Sequence, residues 1–158
     1  MGQLYRQSDP GSITNQSTPH RIQLNHGMDE LISLLRQASS ASGRAEEQRL
    51  VTLALARFNA QPEAGRHYLS LFCDPQYPAE MRGMAGLLVK NLIKKTPATT
   101  NSQKMAVEEW TAAVVQVVTT PGEQPFVAST AATVLAVLMS RRPDLWPSCL
   151  LQLLHAVK

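Results

Sequence analysis

The sequence predicts an all-α fold, an α-solenoid of about three and a half antiparallel helix pairs, and three observations lead there. From Met28 onward apolar residues recur three and four positions apart, the spacing of one helix face, and no segment alternates convincingly as a strand does. Clusters of Pro, Gly, Ser and Thr cut this pattern into runs of helix length. Taking alternate runs as the first and second helix of a unit, the units recur about every 36 to 46 residues, a period of stacked helix pairs.

Residues 1–27 hold Arg6, Asp9 and Arg21 as their only ionised side chains among Gly, Ser, Asn, Gln, Thr and Pro. Their isolated apolar residues bury too little surface to offset backbone ordering, so this segment is expected to be a disordered extension that contributes nothing to the fold. Met1-Gly2-Gln3-Leu4 has neither the charged start nor the apolar stretch of a secretory signal. The helical domain is expected over 28–158. Its first helix, 28–38, ends in the Ser39 to Gly43 cluster, and the second, 44–60, ends before Pro62. The third, 64–73, is separated by Asp74 to Pro78 from the fourth, 79–95, and Thr96 to Ser102 separates that from the fifth, 104–119. After Thr120 to Gly122 the sixth, 125–141, opens on Pro125, where a first helical turn accepts proline. The seventh, 147–157, follows Pro143 to Trp146 and opens on Pro147. It has no partner helix after it, so the chain is expected to be a fragment of a longer solenoid or a truncated product.

The fourth helix is the most informative. Pro78-Ala79-Glu80-Met81-Arg82-Gly83-Met84-Ala85-Gly86-Leu87-Leu88 follows the HEAT second-helix pattern of Pro, an apolar-Arg pair, then Ala and Leu at three-residue steps. The third unit keeps only the apolar half, Pro125, Val127, Ala131 and Val134, with Ala128 in place of the Arg. On a wheel of about 100° per residue, Met81, Ala85, Leu88, Val89, Leu92 and Ile93 share a broad arc. Glu80, Gly83, Lys90, Asn91, Lys94 and Lys95 lie opposite, and Met84 and Leu87 fall among them. Two readings stay open for Met84 and Leu87: cover by a neighbouring unit, or an apolar contact in a partner-binding face. Lys90, Lys94 and Lys95 are either a solvated face that compensates the helix dipole or charge-assisted contacts. Asn91 is a poor mid-helix residue that gains from a specific bond. Gly86, on the buried arc, is expected at a close helix approach. Trp146 is expected to anchor its loop, and Trp110 to pack in the core, with a peptide-binding position on the convex face as its alternative.

Composition narrows function by exclusion. A formal charge of +3 is too weak and dispersed to argue for nucleic acid. No apolar stretch approaches the roughly 18 to 20 residues of a membrane helix. Cys73 and Cys149 read as buried thiols, and His20, His26, His67 and His155 are scattered, so no metal or cofactor is expected. Paired carboxylates, a nucleophile-base order and a phosphate-cradling glycine loop are all missing, which argues against an enzyme.

Four segments in order resemble the N-terminal HEAT repeats of the importin-beta (karyopherin-beta) family across nearly all of 28–158. They are Met28-Asp29-Glu30-Leu31-Ile32-Ser33-Leu34-Leu35; Phe58-Asn59-Ala60-Gln61-Pro62 with Tyr68-Leu69-Ser70-Leu71; Gly86 to Lys95; and Arg141-Arg142-Pro143-Asp144-Leu145-Trp146-Pro147 with Leu150, Leu153 and Leu154. Arg82 and Gly86 are most similar to the transportin branch. The resemblance implies Arg82, Gly86, Trp146 and Pro147 as structural residues. It also implies protein transport between cytoplasm and nucleus, with the second helices facing the GTP-bound small GTPase Ran through Lys90 and Asn91. Met84, Leu87, Lys94 and Lys95 join them as candidate contacts from the wheel. Nucleoporins and cargo are expected at repeats this chain lacks. Val51 and Thr52, or Thr52 and Leu53 in a second register, stand where the family carries an Ala-Glu pair, and Thr96-Pro97-Ala98-Thr99 stands where it carries an aromatic residue. The alternative expectation is a generic HEAT interaction scaffold that does not bind Ran.

Overall fold

The computed structural model describes residues 19–41, 43–96 and 101–157, with the backbone alone for 19–25 and 101–105. Within them the chain forms α1 (Pro19–Ser40), α2 (Ala45–Asn59), α3 (Ala64–Cys73), α4 (Ala79–Lys95), α5 (Asn101–Thr119), α6 (Pro125–Arg141) and α7 (Trp146–Ala156), with a 3-10 turn at Pro143–Leu145 and no strand among the described residues. The breakers act where the sequence places them. Pro78 caps α4, Pro125 starts α6 and Pro147 lies in the first turn of α7, each at a position whose missing N–H has no helical partner to lose. Glu46 and Glu47 in the first turn of α2, and Lys94 and Lys95 in the last turn of α4, oppose the helix dipoles.

The first boundary differs from expectation. α1 begins at Pro19 rather than Met28, so the C-terminal part of the segment expected to be disordered is helical. Gly27 is buried there, and a Cβ on it would stand 2.7 Å from Nε2 of His67. His67 in turn packs edge-on to Phe58 and places Nδ1 2.8 Å from the Glu63 carbonyl oxygen. Composition hid this because one glycine against one imidazole makes a tertiary contact without an apolar pattern. Residues 1–18 lie outside the described residues.

Each helix packs on its successor in the pairs α1–α2, α3–α4 and α5–α6. Alternate helices also touch, α1 with α3, α3 with α5 and α5 with α7, while α4 lies along α6. A continuous core results. Leu31 and Leu35 of α1 meet it from one end, Tyr68, Leu71 and Phe72 of α3 fill its middle, and Val134 and Leu138 of α6 close it towards Cys149 of α7. The Tyr68 hydroxyl donates a short hydrogen bond to Oδ1 of Asn59, and burial pushes its pKa up to about 12. The least embedded helices are α2, which buries only Val51 and Phe58 and exposes Leu50 and Leu53, and α7, which buries only Cys149.

Candidate functional site

The geometry of α4 follows from being packed against both α3 and α6. It buries Met81, Arg82, Gly83, Ala85, Gly86, Val89 and Ile93, which leaves a narrow open stripe. Gly86 makes the double approach possible. A Cβ there would lie 2.7 Å from Cε2 of Phe72 on α3 and 2.7 Å from Cγ2 of Thr130 on α6. Its close-packing role therefore extends to α6, beyond the α3 contact that a helix pair alone requires.

Arg82 enters this core with 4% exposure, and a buried guanidinium needs a partner for each face it presents. Its Nε donates to the Phe72 carbonyl oxygen at 3.0 Å, holding the C-terminal end of α3. Nη1 and Nη2 donate to the two carboxylate oxygens of Glu123 at 2.9 and 2.7 Å. Glu123 sits in the turn before α6, which reverses through Gly122 at φ +75°, a conformation that favours glycine. The Arg82 hydrogen bonds hold the Glu123 carboxyl below the usual carboxylate range, against burial, which raises it. The arginine thus locks α3, α4 and the α5–α6 turn together. Sequence reasoning marked Arg82 as structural and missed Glu123, although a lone arginine among buried helix positions demands a counter-charge from elsewhere.

The open stripe brings together much of the expected contact set. Asn91, Lys94 and Lys95 are exposed, and Leu87 is 38% exposed one turn before Asn91. Lys90 is half-buried beside them. Met84 is half-buried against the core, so of the two apolar intruders in the polar arc, Leu87 is the open one. Gly83 does not belong to the exposed arc where the wheel puts it: the Phe126 ring covers it and occupies the space a Cβ would need. A single-helix wheel cannot register that α6 crosses at this point. The stripe offers one aliphatic side chain flanked by an amide and ammonium groups, which suits a polar protein surface with a small apolar centre.

Pro147 opens α7 as expected, but Trp146 is no buried anchor. The residue is 44% exposed, and Leu145 and Cys149 make the contacts with the core instead. Trp146 heads α7, whose Leu150, Leu151 and Leu154 are exposed as well, while Cys149 is its buried residue. The preceding turn is held by Arg142, whose Nη2 pairs with Asp144 at 2.7 Å and with Glu108 of α5 at 3.1 Å.

A second feature was not legible in the sequence. A cavity of about 320 Å³ opens where the N-terminal end of α3, the C-terminal ends of α4 and α6, and α5 converge. Pro62, Leu92, Val107 and Trp110 give it apolar walls, and Arg66, Glu109 and Arg141 stand at its margin. Gly65 is the reason Trp110 fits, because a Cβ there would lie 2.8 Å from the indole ring. Trp110 is therefore packed at the core's edge with part of its ring open to the cavity.

Neither cysteine is disposed to react. Burial pushes the Cys73 thiol up to about 11 against the pull of Arg82, and burial raises Cys149. No group of three metal-ligating side chains occurs among the described residues, and no described helix is long and apolar enough to cross a membrane. No protein-family model matches the chain, nor does any curated protein or solved structure.

Proposed function

We propose that this chain is a non-enzymatic protein-binding module, an α-solenoid of HEAT-type helix pairs that forms the N-terminal part of a nuclear transport receptor. Three successive helix hairpins, with α3 against α5 and α4 against α6, support the solenoid reading. The open stripe Leu87, Asn91, Lys94 and Lys95 on α4, with Met84 and Lys90 half-buried beside it, is the observation that carries a partner-binding role. Its partner is the GTP-bound form of Ran, a choice that rests on the importin-beta resemblance of Gly86 to Lys95. Transport between cytoplasm and nucleus follows from that partner.

The chemistry is recognition. Leu87 supplies the desolvated contact, Asn91 a paired donor and acceptor for backbone, and the lysines steer an acidic surface. Binding of the purified chain to Ran loaded with GTP or GDP, followed by calorimetry, tests the reading. Tighter binding of the GTP form is expected, and equal or no binding in both states contradicts it.

One observation favours a HEAT scaffold without Ran binding. Thr52, or Leu53 in the second register, stands where the resemblance implies an acidic residue, and the Thr52 hydroxyl is bonded to the Gln48 carbonyl oxygen at 2.8 Å, so α2 offers no carboxylate there.

A further inference from the structure

α7 packs on α5 and on the 3-10 turn before it, and it leaves Trp146, Leu150, Leu151, Leu154 and Val157 exposed. On the α7 wheel Trp146, Leu150, Leu154 and Leu151 span about 140°, starting beside the edge that Cys149 and Leu153 dock on the core. With about 150–250 Å² for a whole aromatic side chain and somewhat less for an aliphatic one, the open fractions leave roughly 500 Å² of apolar surface per chain. That is at the upper end of the largest patch on an ordinary monomer, about 300–600 Å². Two features say what covers it. No residue from Trp146 to Leu154 is charged, so the face offers a charged partner nothing to recognise, while two copies meet on it without repulsion. Two such faces bury about 1,000 Å² from these side chains alone, and the flanking Pro147, Ser148 and Gln152 bring the total to the lower limit of a specific interface, about 1,200 Å². The other exposed leucines, Leu50 and Leu53 on α2, stand among Glu46, Glu47, Arg49 and Arg57, whose charges would lose water against α7 without gaining a counter-charge. α7 therefore suits a second α7 better than it suits α2.

We infer that the chain forms a two-fold homodimer in which the open face of α7 packs antiparallel on α7 of a second copy. The antiparallel sense sets each helix N-terminus beside the partner's C-terminus, where their dipoles attract. It places Leu150 of each copy opposite Leu154 of the other, with Trp146 towards the partner's Val157. A two-fold pairing of this kind closes on itself, so assembly stops at two. The interface is small and the expected affinity modest, with Kd on the order of 10 µM. The inference uses no residue of the α4 stripe and does not depend on Ran.

Sedimentation equilibrium of the parent chain from roughly 1 to 300 µM brackets that affinity. The mass should rise from 17.3 kDa to twice that value and no further. Leu150→Lys and Leu154→Glu should each weaken self-association at least about 30-fold, since each buries two unpaired charges in the dimer. An equimolar mixture of the two variants should associate about tenfold more tightly than either alone, because the antiparallel register sets the introduced cation opposite the introduced acid and leaves the second Leu150–Leu154 contact intact. At about 1 µM, where the parent is monomeric, both variants should melt with the parent, because the two leucines are exposed. That comparison separates lost association from lost folding. A mass of 17.3 kDa at every concentration overturns the proposal and leaves the face to a different partner. Growth beyond two copies that Leu53→Glu abolishes overturns it in favour of head-to-tail stacking of α7 on α2. A mixture of the two variants that stays monomeric overturns the antiparallel pairing.

Discussion

Replacing Glu123 by Gln keeps the shape of the α5–α6 turn and removes the counter-charge of Arg82. The side chains of Arg82 and Glu123 are 5% and 8% exposed, so water cannot take over as the partner. Both guanidinium nitrogens that now donate to carboxylate oxygens would face one amide oxygen and one amide nitrogen. Removing one member of a buried pair costs about 3–5 kcal/mol, because the remaining charge is left uncompensated. For a domain of this size that corresponds to a fall of about 10–20 °C in the melting midpoint. Urea and thermal melts by circular dichroism at pH 7 measure it. The apolar pair Arg82→Met with Glu123→Leu should recover most of the loss, since it removes both desolvated charges together. The pH dependence has a definite sign. The folded pKa of Glu123 lies below its unfolded value of about 4.3, so the stabilisation is complete above that value and is lost as pH falls through the folded pKa. The gap between parent and Glu123→Gln should be constant at neutral pH and narrow below about pH 4. A Glu123→Gln protein that melts with the parent at pH 7 refutes the lock.

Gly86→Leu should destabilise by about 1–3 kcal/mol or more, because the new side chain meets Phe72 and Thr130 on two different helices; a melt matching the parent would place Gly86 elsewhere. Deleting residues 1–27 should lower the melting midpoint by several degrees through loss of the Gly27 contact with His67, whereas an unchanged midpoint would return this segment to a passive extension. Cys73 should resist alkylation at pH 7.5 in the native state and react at a normal thiol rate in urea, and fast native labelling would contradict its raised pKa.

Much of the helical order was readable because it is written locally. Pro62, Pro78, Pro125 and Pro147 and the Gly122 turn punctuate the chain, and period-3.6 apolar residues fill the intervals. The open stripe of α4 was legible in the same way, since Leu87, Asn91 and Lys94 follow from helix phase alone. What escaped was pairwise and distant. Glu123 is far from Arg82 in sequence, Phe126 covers Gly83 from another helix, and Trp110 seats over Gly65 across the α3–α5 contact. The early start of α1 failed for the same reason, because Gly27 acquires its meaning only when His67 is beside it. Trp146 shows the converse error: an aromatic residue at a helix entrance invites an anchoring role, but it stands 44% exposed at the head of α7.

The central claim is that the α4 stripe binds a partner without supporting the fold. Calorimetry of the Leu87→Ala, Asn91→Ala double variant against GTP-loaded Ran, with a melt of the same sample, tests it most directly. Truncating a central apolar contact with its polar neighbour should lower affinity about 30-fold, while stability changes by no more than about 1 kcal/mol because both residues are exposed. Unchanged affinity together with a large loss of stability would contradict the account and assign Leu87 to the core.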